Sequence, residues 1–426
     1  MSDRFTADME WRLPSFDTRL GQRIIELNIW AMRQGLAGAA TEALFGELCQ
    51  SLVAADVPLS RAFAGMRTLH PQWAGYVYMW RRDRDGVESV WRERGEAYER
   101  DLRDSPFGPL IRAARESPHL RGQPMRLRWR LGEAKTQQDF WYIKELMEAG
   151  ATDYIVELVP WGRVRDAFPE SGIGFSFATD DPAGFAEEHL QLIEAVLPAV
   201  SLAIMADAEY TIAAGLLGAY LGADAGRRVH AGLVGRGSVE SMHAVLWYAD
   251  VRGFTAIADT TPGPAVIDLL DDTFEALTAA LRPRGGQVLK FLGDGMLATF
   301  AFCQSTREAI CRQAIDAAVD AMRELDCVNA ARLQAGKPVA AVDLALHLGD
   351  VLYGNVGAID RVDFTVIGPA VNEVARIETL CEPLGRKVLV SAAFAAALGE
   401  GSQLEPLGAH MLRGLRQPSE IFALRL

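Results

Sequence analysis

Ala249-Asp250-Val251-Arg252-Gly253-Phe254-Thr255 and Lys290-Phe291-Leu292-Gly293-Asp294-Gly295 decide how the second half of this 426-residue chain folds. Ahead of the first stretch, Ala244, Val245, Leu246 and Trp247 run into Asp250. That is the pattern of a buried strand ending at a carboxylate, with Gly253 opening the next turn. In the second stretch, Val288, Leu289, Phe291 and Leu292 precede Gly293-Asp294-Gly295, and Met296, Leu297, Ala298, Thr299 and Phe300 follow it. Two apolar runs around an Asp-Gly turn predict a hairpin with Asp294 at its tip. Such a turn is ordinarily structural, but if the two strands are neighbours their carboxylates face each other and repel. A hard divalent cation, Mg²⁺ or Mn²⁺, would relieve that repulsion and grip phosphate oxygens.

A third stretch, Gly368-Pro369-Ala370-Val371-Asn372-Glu373-Val374-Ala375-Arg376, carries a helical spacing that continues through Ile377 and Leu380. Asn372 and Arg376, four apart, project from one face. A lone Asn and Arg there are normally solvated surface, and it is the joint occurrence of the three stretches in this order that points to a nucleotide site.

Together with His347-Leu348-Gly349-Asp350-Val351-Leu352-Tyr353-Gly354-Asn355-Val356-Gly357, these motifs resemble the catalytic domain of class III nucleotidyl cyclases, the family that makes cyclic AMP or cyclic GMP. The resemblance runs from about Val245 to the C-terminus. It implies a ferredoxin-like β-α-β-β-α-β core with extra strands, and residues 266–281 and 309–325 read as amphipathic helices that fit it. It also implies a homodimer, in which two catalytic domains pair head to tail with two equivalent active sites across the interface.

On the family pattern, Asp250 and Asp294 of one subunit hold two metal ions, while Lys290, Thr365, Asn372 and Arg376 of the other complete the pocket. One metal lowers the pKa of the ribose 3′-hydroxyl that attacks the α-phosphorus, and the other neutralises the departing pyrophosphate. Arg376 offsets charge on the α-phosphoryl group and Asn372 orients the ribose. Backbone N–H groups around Gly253, Phe254 and Thr255 would cradle the β- and γ-phosphates. Arg361 and Arg413 are further phosphate-binding candidates from their place in the motif order, although surface solvation explains either nearly as well.

Base choice follows from hydrogen-bond polarity. Adenine offers an acceptor at N1 and a donor at N6, and guanine offers the reverse. Lys290 only donates and the Thr365 hydroxyl can accept, so the pair matches adenine. A donor facing guanine N1–H would be left unpaired. Thr365 departs from the commonest family pattern, which has Asp seven residues before the helix asparagine, and resembles the subgroup described as bicarbonate-responsive. The expected function is therefore an adenylate cyclase converting ATP to cyclic AMP and pyrophosphate. A guanylate or dual-specificity enzyme and a catalytically silent nucleotide-binding module are the alternatives. The Gly-Gly-Asp/Glu-Glu-Phe signature of diguanylate cyclases is absent, the turn here reading Leu292-Gly293-Asp294-Gly295-Met296.

The rest of the chain leaves room for a regulatory half. The net charge of −13 argues against general nucleic-acid binding. Cys49, Cys303, Cys311, Cys327 and Cys381 are scattered without a CxxC pair, as in a reducing compartment. Glu194, Asp207 and Glu209 interrupt the longest apolar run, and the early Asp3, Asp8 and Glu10 do not fit a signal peptide, so the expectation is a cytoplasmic protein without a membrane span.

Ile24, Ile25, Leu27 and Ala31, then Leu44, Phe45, Leu48, Leu52 and Val53, have helical periodicity. Gly75-Tyr76-Val77-Tyr78-Met79-Trp80 and Val87-Glu88-Ser89-Val90-Trp91 flank an Asp85-Gly86 turn, and strands are expected at 154–159 and 172–178. This order resembles a GAF domain. Trp73, Trp80, Trp91, Trp129, Trp141 and Trp161 make an aromatic ligand pocket conceivable, with ordinary aromatic packing the more economical account. Lone His70 and His119 are poor candidates for cofactor ligands. Asp181 as N-cap and Pro182 in the first turn predict a helix with the stripe Leu190, Ile193, Leu197, Val200 and Ile204, pairing with its twin.

The expected fold class is α+β. It comprises an N-terminal helical segment at 1–40, a GAF-like antiparallel-sheet sensor at 41–205, a helical linker or transducer at 206–240, and the ferredoxin-like cyclase domain at 241–426. ATP, a second copy of the chain through the catalytic domain and linker helix, and an unknown small ligand or protein at the sensor are the expected partners.

Overall fold

The computed structural model describes residues 18–116, 123–131, 140–161, 171–301, 306–399 and 403–425, and the chain divides into two compact units, Met1–Leu216 and Leu217–Leu426. Cys303 and His119 lie outside the described residues.

The N-terminal unit begins with helices α1 (Arg19–Leu36) and α2 (Thr41–Ala54), followed by strands β1 (Arg61–Arg67), β2 (Trp73–Arg81) and β3 (Val87–Glu93). Helices α3 (Glu96–Arg103) and α4 (Gly108–Glu116), strand β4 (Met125–Arg130), helix α5 (Trp141–Glu148), strands β5 (Asp153–Pro160) and β6 (Gly172–Thr179), and the long helix α6 (Glu187–Leu221) complete it. The strands form one antiparallel sheet in the order β3-β2-β1-β6-β5-β4. The period of two along β1 and β6 sorts their side chains. Ala62, Ala64, Met66, Ile173, Phe175 and Phe177 join the core built with α1, α2 and α6, and the opposite face carries Arg61, Phe63, Gly65 and Gly174. The β2–β3 hairpin turns at Gly86, whose φ of 79° suits glycine.

Three expectations need correction in this unit. Helix α1 is no separate segment, because Ile24, Leu27 and Ala31 belong to the same core as Phe175 and Val200. Asp181 does not cap α6. Its carboxylate accepts from the Ala183 N–H at 2.8 Å in a local turn, and the helix starts at Glu187. Helix α6 also runs on without a break to Leu221. Among the described residues it is long and apolar enough, by length and composition, to cross a bilayer, whereas the charged interruptions predicted no such run. Its stripe from Leu190 to Ile204 lies in the N-terminal core, and Asp207 accepts from the Thr41 N–H and Oγ1 at 2.8 and 2.6 Å, neutralising the start of α2.

The C-terminal unit contains helix α7 (Ala223–His230), strand β7 (Val239–Val251), helices α8 (Phe254–Thr260) and α9 (Gly263–Leu281), the hairpin β8 (Gln287–Leu292) and β9 (Gly295–Ala301), and helix α10 (Arg307–Gln334). It continues through strands β10 (Val342–Gly357) and β11 (Val362–Ile367), helix α11 (Pro369–Glu378), strand β12 (Val388–Ser391), helix α12 (Ala392–Leu398), and strands β13 (Leu404–His410) and β14 (Ser419–Leu424). The sheet order is β13-β14-β12-β10-β7-β9-β8, with β11 also paired to β10. Within it, β7-α9-β8-β9-α10-β10 adopts the spatial order β10-β7-β9-β8, the ferredoxin-like arrangement expected.

Strand β7 is buried on both faces. Val245, Trp247, Ala249 and Val251 join the core with α9 and α10, while Leu246 shares the other face with Val374 and Ile377 of α11. By the same alternation Asp250 falls on the α11 face.

Candidate functional site

Strand β7 brings Asp250 to the end of the sheet with a neighbour on each side, Gly295 at the start of β9 and Asp343 near the start of β10. The Val251 N–H donates to the Asp294 carbonyl at 3.3 Å, so the hairpin tip is fastened to the strand that carries Asp250. Gly295 is required there, because a Cβ would lie 2.5 Å from Asp250 Oδ1. The two aspartates singled out from the sequence are thus at adjacent strand ends.

The electrostatics are those of crowded acids. Burial, with Asp294 and Asp343 adding to it, pushes the Asp250 carboxyl up to about 6. Burial also pushes Glu378, at the end of α11, up to about 8, helped by Asp250, Asp343 and Asp294. Tyr248, two residues before Asp250 on the same face, rises to about 12 for the same reasons. Asp343 is the exception in being paired. Its carboxylate accepts from Arg252 Nε at 3.1 and 2.9 Å and from Arg252 Nη2, which also donates to the Arg386 carbonyl at 3.1 Å. Among the described residues no three His, Cys, Asp or Glu side chains converge as a ready cation cage. Two oxygen-bearing, mutually repelling carboxylates nonetheless fit a hard divalent cation whose remaining ligands come from a phosphate-bearing substrate and water.

Lys290, on β8, donates from Nζ to Asp363 Oδ2 at 2.6 Å. Thr365 lies two residues further along β11, opposite Gly354 of β10. The structure therefore brings Lys290 to the strand that holds Thr365, but its partner is Asp363. Asn372 is exposed and Arg376 half-buried on α11, while Ala370, Val374 and Ile377 face the core. A Cβ on Gly414 would lie 3.4 Å from Arg376 Nη2, so the loop bearing Arg413 passes beside that guanidinium. Arg361 is exposed in the β10–β11 turn, and its charge is felt by Asp363. Gly253, with φ of 66°, opens α8. Thr255 is exposed and the Phe254 side chain packs against the core. Among the described residues, no ion pair or hydrogen bond joins Asp250 or Asp294 to Lys290, Thr365, Asn372 or Arg376.

Sequence reasoning missed Asp343, Glu378 and Asp363. Asp343 carried a signal, a charge inside the apolar run Val342-Asp343-Leu344-Ala345, which marks a buried and paired group. It also gave no role to two histidines, His243 on β7 and His347 on β10. His243 Nδ1 lies 2.6 Å from Asp350, and burial lowers the pKa of His347, whose Nδ1 is 3.9 Å from Glu373.

The N-terminal unit has a cavity of about 490 Å³ between the second face of its sheet and α3, α4 and α5. Phe63, Phe107, Tyr142 and Tyr154 line it together with Arg61, whose guanidinium lies 5.1 Å from the Tyr142 ring centroid and donates to Glu145 at 3.2 Å. Its floor is kept open by Gly65 and Gly174, paired across β1 and β6. A Cβ on Gly174 would meet the Phe107 ring at 2.5 Å. Of the tryptophans named from the sequence only Trp141 lines this space. His70 is structural, its Nδ1 accepting from the Gln72 and Trp73 N–H groups.

The C-terminal unit thus combines a ferredoxin-like sheet, two acidic strand ends and a helix carrying Asn372 and Arg376. Residues 239–425 match the family described as the adenylate and guanylate cyclase catalytic domain. These residues, a little under half of the chain, form a domain similar to that family. It is similar to an adenylate cyclase of Anabaena cylindrica, 31% identical over 159 residues covering 36% of this chain and 30% of that protein. It is also similar to adenylate cyclase 1 of Rhizobium meliloti (strain 1021), 27% identical over 176 residues covering 41% of this chain and 26% of that protein. The chain thus spans less than a third of the length of these curated relatives. Among solved structures, a bacterial light-regulated adenylyl cyclase aligns with a TM-score of 0.44 and 25% identity, covering 49% of this chain and 59% of that one.

Proposed function

We propose that this protein is an adenylate cyclase that forms 3′,5′-cyclic AMP and pyrophosphate from ATP at a site shared by two copies of the chain. The observation that carries the reading is the pairing of Asp250 with the Asp294 hairpin tip, two carboxylates at adjacent strand ends with no cationic partner among the described residues. Asp250 and Asp294 would hold two divalent cations, Mg²⁺ or Mn²⁺, which when bound acidify the ribose 3′-hydroxyl and neutralise the triphosphate. Asn372 would position the ribose, and Arg376 would stabilise charge growing on the α-phosphoryl oxygens. Arg361, Arg413 and the backbone at Gly253, Phe254 and Thr255 are the candidates for the β- and γ-phosphates. Because no hydrogen bond or ion pair among the described residues links the aspartate pair to Lys290, Asn372 or Arg376 within one chain, the reading assigns the two groups to different copies.

Adenine over guanine rests on Lys290, which offers only N–H donors, and on Thr365 as an acceptor. The relatives named adenylate cyclase favour the same choice. The N-terminal unit is proposed to be a GAF-like sensor, with its aromatic cavity as the place for a small ligand and α6 as the element that passes its state to the catalytic pair. The experiment is product formation by the purified chain with ATP or GTP and Mg²⁺ or Mn²⁺, beside Asp294→Ala. Cyclic AMP from ATP in the wild type alone is the expected result. Cyclic GMP as the main product would replace the adenylate reading with a guanylate one, and equal product from Asp294→Ala would remove the two-cation site.

A further inference from the structure

Lys290 is the base-reading candidate, yet a lysine is a flexible stem of four methylenes with three donors and no preferred direction. Two features of the fold restrict that freedom. The first is a β-bulge. Val288 pairs with Ala298 and Lys290 with Leu297, so Leu289 is an extra residue in β8, and it packs into the cluster that holds Leu297. A bulge of this kind re-aims the residue after it. The second is Asp363, which receives Lys290 Nζ at 2.6 Å. Asp363 stands on a fixed platform. The flanking Phe364 is buried and packs edge-on against Tyr353 at 4.8 Å, and Val366 is buried beside it. By the strand period Asp363 and Thr365 emerge together on the side away from Phe364. The hydrogen bond from Lys290 holds the Asp363 carboxyl below the usual range, so the pair is ionic.

We propose that Asp363 is a positioning residue for base recognition. It takes one of the three N–H donors of Lys290 and thereby holds the ammonium beside Thr365, with two donors left for a ring acceptor. Asp363 does not touch the reacting atoms. Its effect is on which base is accepted and how tightly, and only weakly on the rate of the bound nucleotide. The inference rests on the reading of Lys290 as a base-contacting residue.

The test is binding and turnover by the full chain. The dissociation constants of 3′-deoxy-ATP and 3′-deoxy-GTP, which lack the nucleophile, are measured by calorimetry with Mn²⁺. KM and kcat for ATP and GTP are measured alongside, for wild type, Asp363→Asn, Asp363→Glu, Lys290→Ala and the Asp363→Asn/Lys290→Ala pair. Asp363→Asn is expected to weaken 3′-deoxy-ATP about 10-fold and to narrow the ATP-to-GTP preference by a similar factor, mainly through KM. Asp363→Glu is expected to recover most of the preference, and Asp363→Asn is expected to add nothing in the Lys290→Ala background. An unchanged preference, an equal loss for both nucleotides, or tighter ATP binding by Asp363→Asn would overturn the proposal, the last by showing that Asp363 withholds Lys290. A wild type that prefers guanine would overturn the adenylate reading alone, since the shift between wild type and Asp363→Asn would still report on positioning.

Discussion

Asp250 and Asp343 stand directly opposite each other across the β7–β10 pair, and only Asp343 has a cationic partner among the described residues. Arg252 neutralises the buried carboxylate and leaves the half-exposed one charged against its neighbours. Arg252→Met would leave Asp343 buried without compensation, and a loss of about 3 kcal/mol is expected in urea unfolding. Adding Asp343→Asn should recover more than half of it.

Gly295 faces Asp250 too closely for any side chain. The methyl of Gly295→Ala would force the Asp250 carboxylate to rotate away, and initial rates with saturating Mn²⁺ should fall at least about 10-fold. The unfolding midpoint should fall only modestly, because the closest clash is with a side chain that can turn and the Ala249 carbonyl, at 3.2 Å, has to give only slightly.

If the site is shared, two defective chains can complete each other. Asp294→Ala and Arg376→Ala should each be inactive alone. Mixed in equal amounts and allowed to exchange, about half of the dimers combine the two, each with one intact site, so about a quarter of wild-type product formation should return. No recovery in a mixture shown to exchange would place all the groups in one chain.

Glu157 supplies a pH signature for the N-terminal unit. Burial pushes its carboxyl up to about 7, against the pull of Arg126 and with Glu194 adding to the rise. The folded state therefore holds a proton that the unfolded chain has released above about 4.5. This contribution to stability is fully present below that value and is lost as pH rises through 7, by at most about 3 kcal/mol. Glu157→Gln should flatten the fall of the unfolding midpoint between pH 5 and 8, while Arg126 keeps Glu194 at 3.3 Å.

The strand, hairpin and helix that carry the candidate site were legible because each lies in a short stretch. The alternation through Trp247 to Asp250, the Gly293-Asp294-Gly295 turn and the spacing of Asn372 and Arg376 are local patterns, and the strand, the hairpin and the helix follow them. The partners that set the site's charge were not legible. Lys290 meets Asp363 73 residues away and Arg252 meets Asp343 91 residues away, distances over which spacing carries no register. The start of α6 was misplaced because Asp181 satisfies its capping preference in a local turn. The N-terminal cavity was hidden because its floor is made of absent side chains, Gly65 and Gly174.

The hydrogen bond from the Val251 N–H to the Asp294 carbonyl makes the spacing of the two aspartates a property of the sheet itself. A loop-borne pair could drift apart in brief local openings, whereas this one separates only when the central strands part. The Val251 amide should accordingly trade its proton for deuterium as slowly as those of Leu246 and Trp247, on the timescale of unfolding of the whole catalytic unit. Separation of the two carboxylates and loss of the fold then become a single event.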